Sequence, residues 1–156
     1  MEAVAQALYT ALRDDSEATV GMRALLGNTT TTPYNMHHVL IPEAIDFVTA
    51  AGTQSFMVYQ FVSGIPRQDI HGRDGLAGEE LYNFRVYSRS LATLESICRR
   101  IKLRLQNKLY VTQPTSQAVI QEVKLDSEGP TIWDDEFKVW GRSNFYRVWC
   151  RDDNLY

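Results

Sequence analysis

The residue pattern predicts an α+β fold: an antiparallel sheet of about four strands, helices packed on one face, and a long inter-strand arm. Two segments, Ser55–Ser63 and Leu81–Ser88, read as strands rich in aromatic and β-branched residues. Directly after the second, the apolar period switches to about 3.6 through Leu91, Leu94, Ile97, Cys98, Ile101 and Leu105, with Ser90 preceding the helix. Helical patterns come before this unit and further strands come after it, giving the order αα–ββ–α–ββ in a single domain spanning residues 1–156. A chain of this size buries roughly 68–70% of its unfolded surface, enough for one core without staples.

Taken in order, Glu2 to Arg13 places Val4, Leu8, Ala11 and Leu12 on one face of a short amphipathic helix. Asp14-Asp15-Ser16 interrupts it and offers an N-cap for a second helix, Ser16 to Leu26, with Val20, Ala24 and Leu25 inward and Gly27 at its end. Asn28 to Pro42 lacks clean periodicity and reads as a long outward loop containing His37-His38. In the second central strand Tyr82, Phe84 and Val86 share one face and Asn83 and Arg85 the other. Gly64 to Gly78 is far longer than a tight hairpin needs, so it is expected to form a flexible or extended arm. Gln117 to Asp126 alternates as a third strand, with Val119, Val123 and Leu125 on one side and Ile120, Glu122 and Lys124 on the other. Pro130 to Trp140 fits either a short helix or a strand. Asn144 to Arg151 is the fourth strand, its Arg147 and Arg151 alternating with Tyr146, Val148 and Cys150.

Composition narrows the function. Hydrophobic residues are 44% and charged residues 22%, ordinary for a globular chain. No apolar run approaches the ~18 residues of a spanning helix, and Met1-Glu2-Ala3-Val4 lacks a secretory start, so no membrane partner and a cytosolic origin are expected. Cys98 and Cys150 read as two reduced, packed thiols. A net charge of −3 argues against a dedicated DNA binder. Charge is nonetheless split along the chain. Residues 85–108 hold Arg85, Arg89, Arg99, Arg100, Lys102, Arg104 and Lys108 against Glu95, whereas residues 126–156 are mainly acidic. Either these are two solvated faces, or the basic surface of one copy meets the acidic surface of the next.

Chemistry-bearing motifs are scarce. The sequence has no glycine-flanked serine, no Walker loop and no dinucleotide fingerprint. His37 and His38 are adjacent and would diverge on a regular strand, and the spacing around Asp69 and His71 matches no calcium or zinc motif. Asp134-Asp135-Glu136 reads as a solvated turn or helix start. No enzymatic activity, cofactor or metal is expected. Two alternatives stay open: a nucleic-acid accessory protein using Arg99, Arg100 and Arg104, and a metal-dependent hydrolase through His37, His38 or His71.

The chain resembles the tail terminator (tail completion) proteins of long-tailed bacteriophages. The resemblance rests on Leu8-Tyr9-Thr10-Ala11-Leu12-Arg13-Asp14-Asp15 in the first helix and on Tyr59-Gln60-Phe61-Val62-Ser63-Gly64 closing the first strand. It continues in Phe84-Arg85-Val86-Tyr87-Ser88-Arg89-Ser90, leading directly into the helix Leu91 to Leu105, and in the closing aromatic strand Phe145-Tyr146-Arg147-Val148-Trp149. The family pattern has a shorter connection than Asn28 to Pro42 and no counterpart to Pro130 to Gly141.

The resemblance implies a homo-oligomeric ring, a hexamer, that caps the head-proximal end of the tail tube. Such a ring stops tube polymerisation and offers a surface to the head–tail connector, and DNA passes through its channel without specific binding. It would be assembled in the host cytoplasm and end in the virion tail. Its partners would be itself, the tail tube protein and the connector protein; a head-to-tail connector ring is the nearest alternative. Arm residues Arg67, Asp69, His71, Arg73 and Asp74 are the expected subunit or tube contacts, with loop Thr29 to His38 second. Arg99, Arg100 and Arg104 form the expected basic subunit surface.

Overall fold

The computed structural model describes residues 2–26, 36–38, 55–67, 77–106, 110–111 and 118–152. Its spine is a long hairpin, β2 (Ser55–Arg67) and β3 (Ala77–Ser88), continued by the 14-residue β7 (Val139–Asp152). β3 pairs antiparallel with β7 from Ala77↔Arg151 to Ser88↔Trp140, so both strands are flanked along most of their length. On the far side of β7 lie β5 (Ala118–Glu128) and β6 (Ile132–Asp134), with β4 (Tyr110–Val111) beyond β5. β1 (Met36–His38) adds a parallel edge to β2. Helices α1 (Glu2–Arg13), α2 (Met22–Leu25) and α3 (Leu91–Leu105) complete the described elements.

The predicted alternation puts its apolar residues on one sheet face. Tyr82, Phe84 and Val86 are fully buried there, with Met57 from β2 and Tyr146 and Val148 from β7. α3 lies over this face through Leu94, Ile97, Cys98, Ile101 and Leu105. Ser90 caps it as expected, its hydroxyl accepting the Thr93 N–H at 3.3 Å. α1 adds Val4, Leu8 and Leu12 to the same core. An aromatic file joins the layers. Tyr9 of α1 stacks on Tyr59 at 6.1 Å, Tyr59 on Phe84 at 6.0 Å, and Phe84 meets Tyr146 edge-on at 5.3 Å. Burial pushes the Tyr59 hydroxyl up to about 12.

The α+β class holds, and among the described residues the helices do pack on one face. The four-strand antiparallel sheet does not: the described residues form a seven-stranded sheet, and the β1–β2 pair is parallel. The two ends of the expected arm are sheet. β2 runs on to Arg67 and β3 begins at Ala77, so Gly64↔Glu80 and Pro66↔Gly78 are strand pairs, and residues 68–76 of the connection lie outside the described residues. Pro66 is tolerated because β1 ends opposite Tyr59, leaving this stretch of β2 an edge among the described strands. Of the expected loop Asn28 to Pro42, residues Met36–His38 form β1 and the remainder lies outside the described residues.

Three finer expectations change and one open reading resolves. The second helix shrinks from Ser16–Leu26 to Met22–Leu25, and Met22 and Leu26 are buried rather than Val20 and Ala24. In β5 a bulge between Ile120 and Glu122 adds a residue and switches the faces, so Ile120 joins Val123 in the core. Residues 130–140 resolve as β6, a turn and the start of β7, with no helix. Leu91, placed on the inward stripe of α3, is 43% exposed.

Candidate assembly surfaces

The basic helix divides by face. Arg100 and Arg104 lie one turn apart and both turn towards Asp15, in the link after α1. Arg100 grips both oxygens of Asp15, Nε to Oδ2 at 2.7 Å and Nη2 to Oδ1 at 2.6 Å, and Nη2 also reaches Glu17 at 2.6 Å. Asp15 Oδ2 accepts the Met22 N–H at 2.9 Å, which is how α2 begins at Met22 instead of Ser16. Gly21 sits so close to this link that a Cβ there would stand 2.6 Å from the Glu17 backbone. Burial alone would raise the Asp15 carboxyl. The Arg100 guanidinium and the Met22 N–H outweigh it and hold the group below its ordinary value. Arg100 and Arg104 therefore tie α3 to the α1–α2 link.

The opposite side of α3 is open. Arg99 is exposed and makes no ion pair among the described residues, and Lys102 reaches Glu128 only at 3.6 Å. Leu103 beside them is 60% exposed, and Arg99, Lys102, Leu103 and Gln106 line a shallow groove of about 290 Å³.

A second surface lies at the hairpin joining β6 to β7. Gly129, whose N–H donates to the Ser143 carbonyl at 2.7 Å, hands the strand from β5 to β6. The turn is closed by Asp134, whose Oδ1 accepts the N–H groups of both Glu136 and Phe137 at 2.9 Å, and by Lys138 in the left-handed region at φ 54°. The predicted solvated acidic turn is thus the tip itself. Ile132, Trp133 and Phe137 are 62%, 38% and 40% exposed there, with Trp133 against Trp140 at 5.0 Å. Sequence reasoning named no residue of this tip as a contact. Its signal was three large apolar residues within six positions interleaved with three acids.

At the base of the hairpin Arg142 bonds Glu95 of α3 at 2.6 and 3.0 Å and Thr131 at 2.6 and 2.9 Å. The outer sheet face is polar and aromatic. Arg147 bridges Asp126, at 2.6 Å, and Glu79; Lys124 lies 5.2 Å over the Trp149 ring.

Among the described residues, the sequence-predicted contact residues do not share one place. Arg67 pairs with Ala77 at the end of the hairpin, while Asp69, His71, Arg73 and Asp74 lie outside the described residues. Arg99 is on the open face of α3; Arg100 and Arg104 are engaged within the fold. His37 and His38 diverge as a strand requires: burial lowers the His37 pKa, while exposed His38 lies 4.9 Å from Tyr59. Cys98 and Cys150 are free and buried, and desolvation pushes the Cys98 thiol up to about 11. Among the described residues no helix is long and apolar enough to cross a membrane, and no three His, Cys, Asp or Glu side chains gather as a metal site would require.

No protein-family profile matches the chain. No curated protein sequence matches it either. Among solved structures it is similar to a chain of the virion of a native gene transfer agent (GTA) particle, at 13% sequence identity and a TM-score of 0.54. The likeness covers 94% of this chain and 92% of that one, so the two share a fold from end to end.

Proposed function

We propose that this chain is a structural virion protein that forms a closed ring on the head-proximal end of a phage-type tail tube. The ring ends tube polymerisation and offers its outer surface to the head–tail connector. The carrying observation is the near end-to-end fold likeness to a chain of a virion particle. It agrees with the resemblance to tail terminators drawn from the helix, strand and turn residues. The surface chemistry supports the reading in two ways. A ring needs heterologous contacts, one patch meeting a different patch on the next copy, and the chain exposes a basic groove and an acidic aromatic tip. A channel through which DNA must slide is poorly served by many phosphate contacts, and a net charge of −3 suits that role. On this reading the protein is no enzyme, takes no cofactor, binds no specific DNA sequence, and resides at the head–tail interface of the particle.

Removing the gene and imaging the lysate tests the role. Overlong tails are expected. Normal-length tails beside filled heads that leak DNA would reject the terminator role in favour of a head-to-tail connector ring.

A further inference from the structure

We propose that the acidic aromatic tip of the β6–β7 hairpin of one copy docks on the basic groove of α3 of the next copy. This inference rests on the ring reading and names the contact that would build it. Single exposed apolar residues are ordinary on a protein surface, but Ile132, Trp133 and Phe137 are all exposed within six positions of one hairpin. Around them Asp134, Asp135 and Glu136 outnumber Lys138, and the Asp135 side chain is 87% exposed. The groove offers the complement: Arg99 and Lys102 supply positive charge, and Leu103 in the same groove supplies an open apolar contact. Burying Trp133 or Phe137 against Leu103 with the acids facing Arg99 and Lys102 satisfies both chemistries at once.

Position makes the contact head-to-tail. The hairpin base is tied to Glu95, in the N-terminal half of α3, through Arg142, whereas the groove runs from Arg99 to Gln106 at the other end of the helix. Two dissimilar patches, one on a hairpin tip and one on a helix face, suit a heterologous contact between copies. Like charge also opposes tip-to-tip and groove-to-groove pairing, which would give a closed dimer in place of a ring.

Reciprocal charge reversal tests it. The groove variant is R99E/K102E and the tip variant D135K/E136K; all four positions are exposed, so circular dichroism should match the wild type. Sedimentation velocity is expected to show an oligomer for the wild type and a loss of assembly affinity of about tenfold or more for each variant alone. An equimolar mixture of the two is expected to recover assembly, because each variant's tip then faces a groove of opposite sign. Should a variant fail to fold, the milder R99A/K102A and D135N/E136Q are expected to weaken assembly in the same direction. Unchanged assembly of either folded variant, or no recovery on mixing, would overturn this contact while leaving the ring intact. A wild-type protein that stays monomeric would instead overturn the ring reading.

Discussion

Replacing Asp15 with Ala removes the carboxylate on which three parts of the fold converge. The Arg100 guanidinium loses two bonds of 2.6 and 2.7 Å, the Met22 N–H loses its acceptor at 2.9 Å, and Arg104 loses a charge at 3.9 Å. The Asp15 side chain is 3% exposed and that of Arg100 11%, so water cannot readily replace the missing partner. Breaking a pair this well buried by removing one member costs about 3 kcal/mol, the lower end for such pairs, because the Arg100 guanidinium stays desolvated with only the exposed Glu17 left to balance it. For a domain of this size each kcal/mol shifts Tm by roughly 2–4 °C, so the loss should be about 6–12 °C. Thermal unfolding followed by circular dichroism at neutral pH measures it. The pH dependence gives a second reading. The Asp15 carboxyl titrates lower in the folded than in the unfolded state. Its contribution is therefore complete above the ordinary value of 3.8 and disappears as pH falls through the lower folded value. Asp15→Asn should lose that part of the acid sensitivity. A variant within 2 °C of the wild type, on the order of the shift from half a kcal/mol, with the same acid profile, would refute the role given to this cluster.

Further outcomes follow from single residues. Gly129→Ala should destabilise by about 1–3 kcal/mol in thermal unfolding, because its Cβ would stand 2.6 Å from the Ser143 carbonyl oxygen and prise the β5–β6 junction off β7. Phe84→Ala should cost about 3–5 kcal/mol in denaturant titration, since the ring is fully buried between Tyr59 and Tyr146. Cys98, with its thiol pushed up to about 11, should resist a thiol reagent at pH 8 in the folded protein and react on unfolding.

Much of the fold was legible because period reports burial directly. Tyr82, Phe84 and Val86 were assigned one face by alternation alone, and all three are fully buried. The stripe from Leu94 to Leu105 fixed α3, and Glu2 to Arg13 fixed α1 to the residue. What escaped was set by distant contacts. Ile120 changed face because β5 carries a bulge against β7, which alternation within one strand cannot reveal. β1 is three residues containing two histidines, and it exists through parallel pairing with β2. Gly64 and Pro66 read as loop chemistry yet sit in an edge portion of a long hairpin, where a missing N–H does little harm.

The candidate surfaces were less legible than the fold, for a related reason. A run of bases on one helix does not say which bases are spent inside. Arg100 and Arg104 were grouped with Arg99, but an acid 85 residues from Arg100 in sequence claims the first and draws the second. The reverse held at the hairpin: Asp134-Asp135-Glu136 was legible as a turn, while the exposure of Trp133 and Phe137 beside it depended on how β6, all of whose residues are exposed, pairs with β7.

Electron micrographs of tail tubes assembled with the purified protein bear most directly on the central claim. Closed rings of one size, each with a central hole and seated on one end of the tube, are the expected result. Monomers scattered along tubes of unaltered length would contradict it.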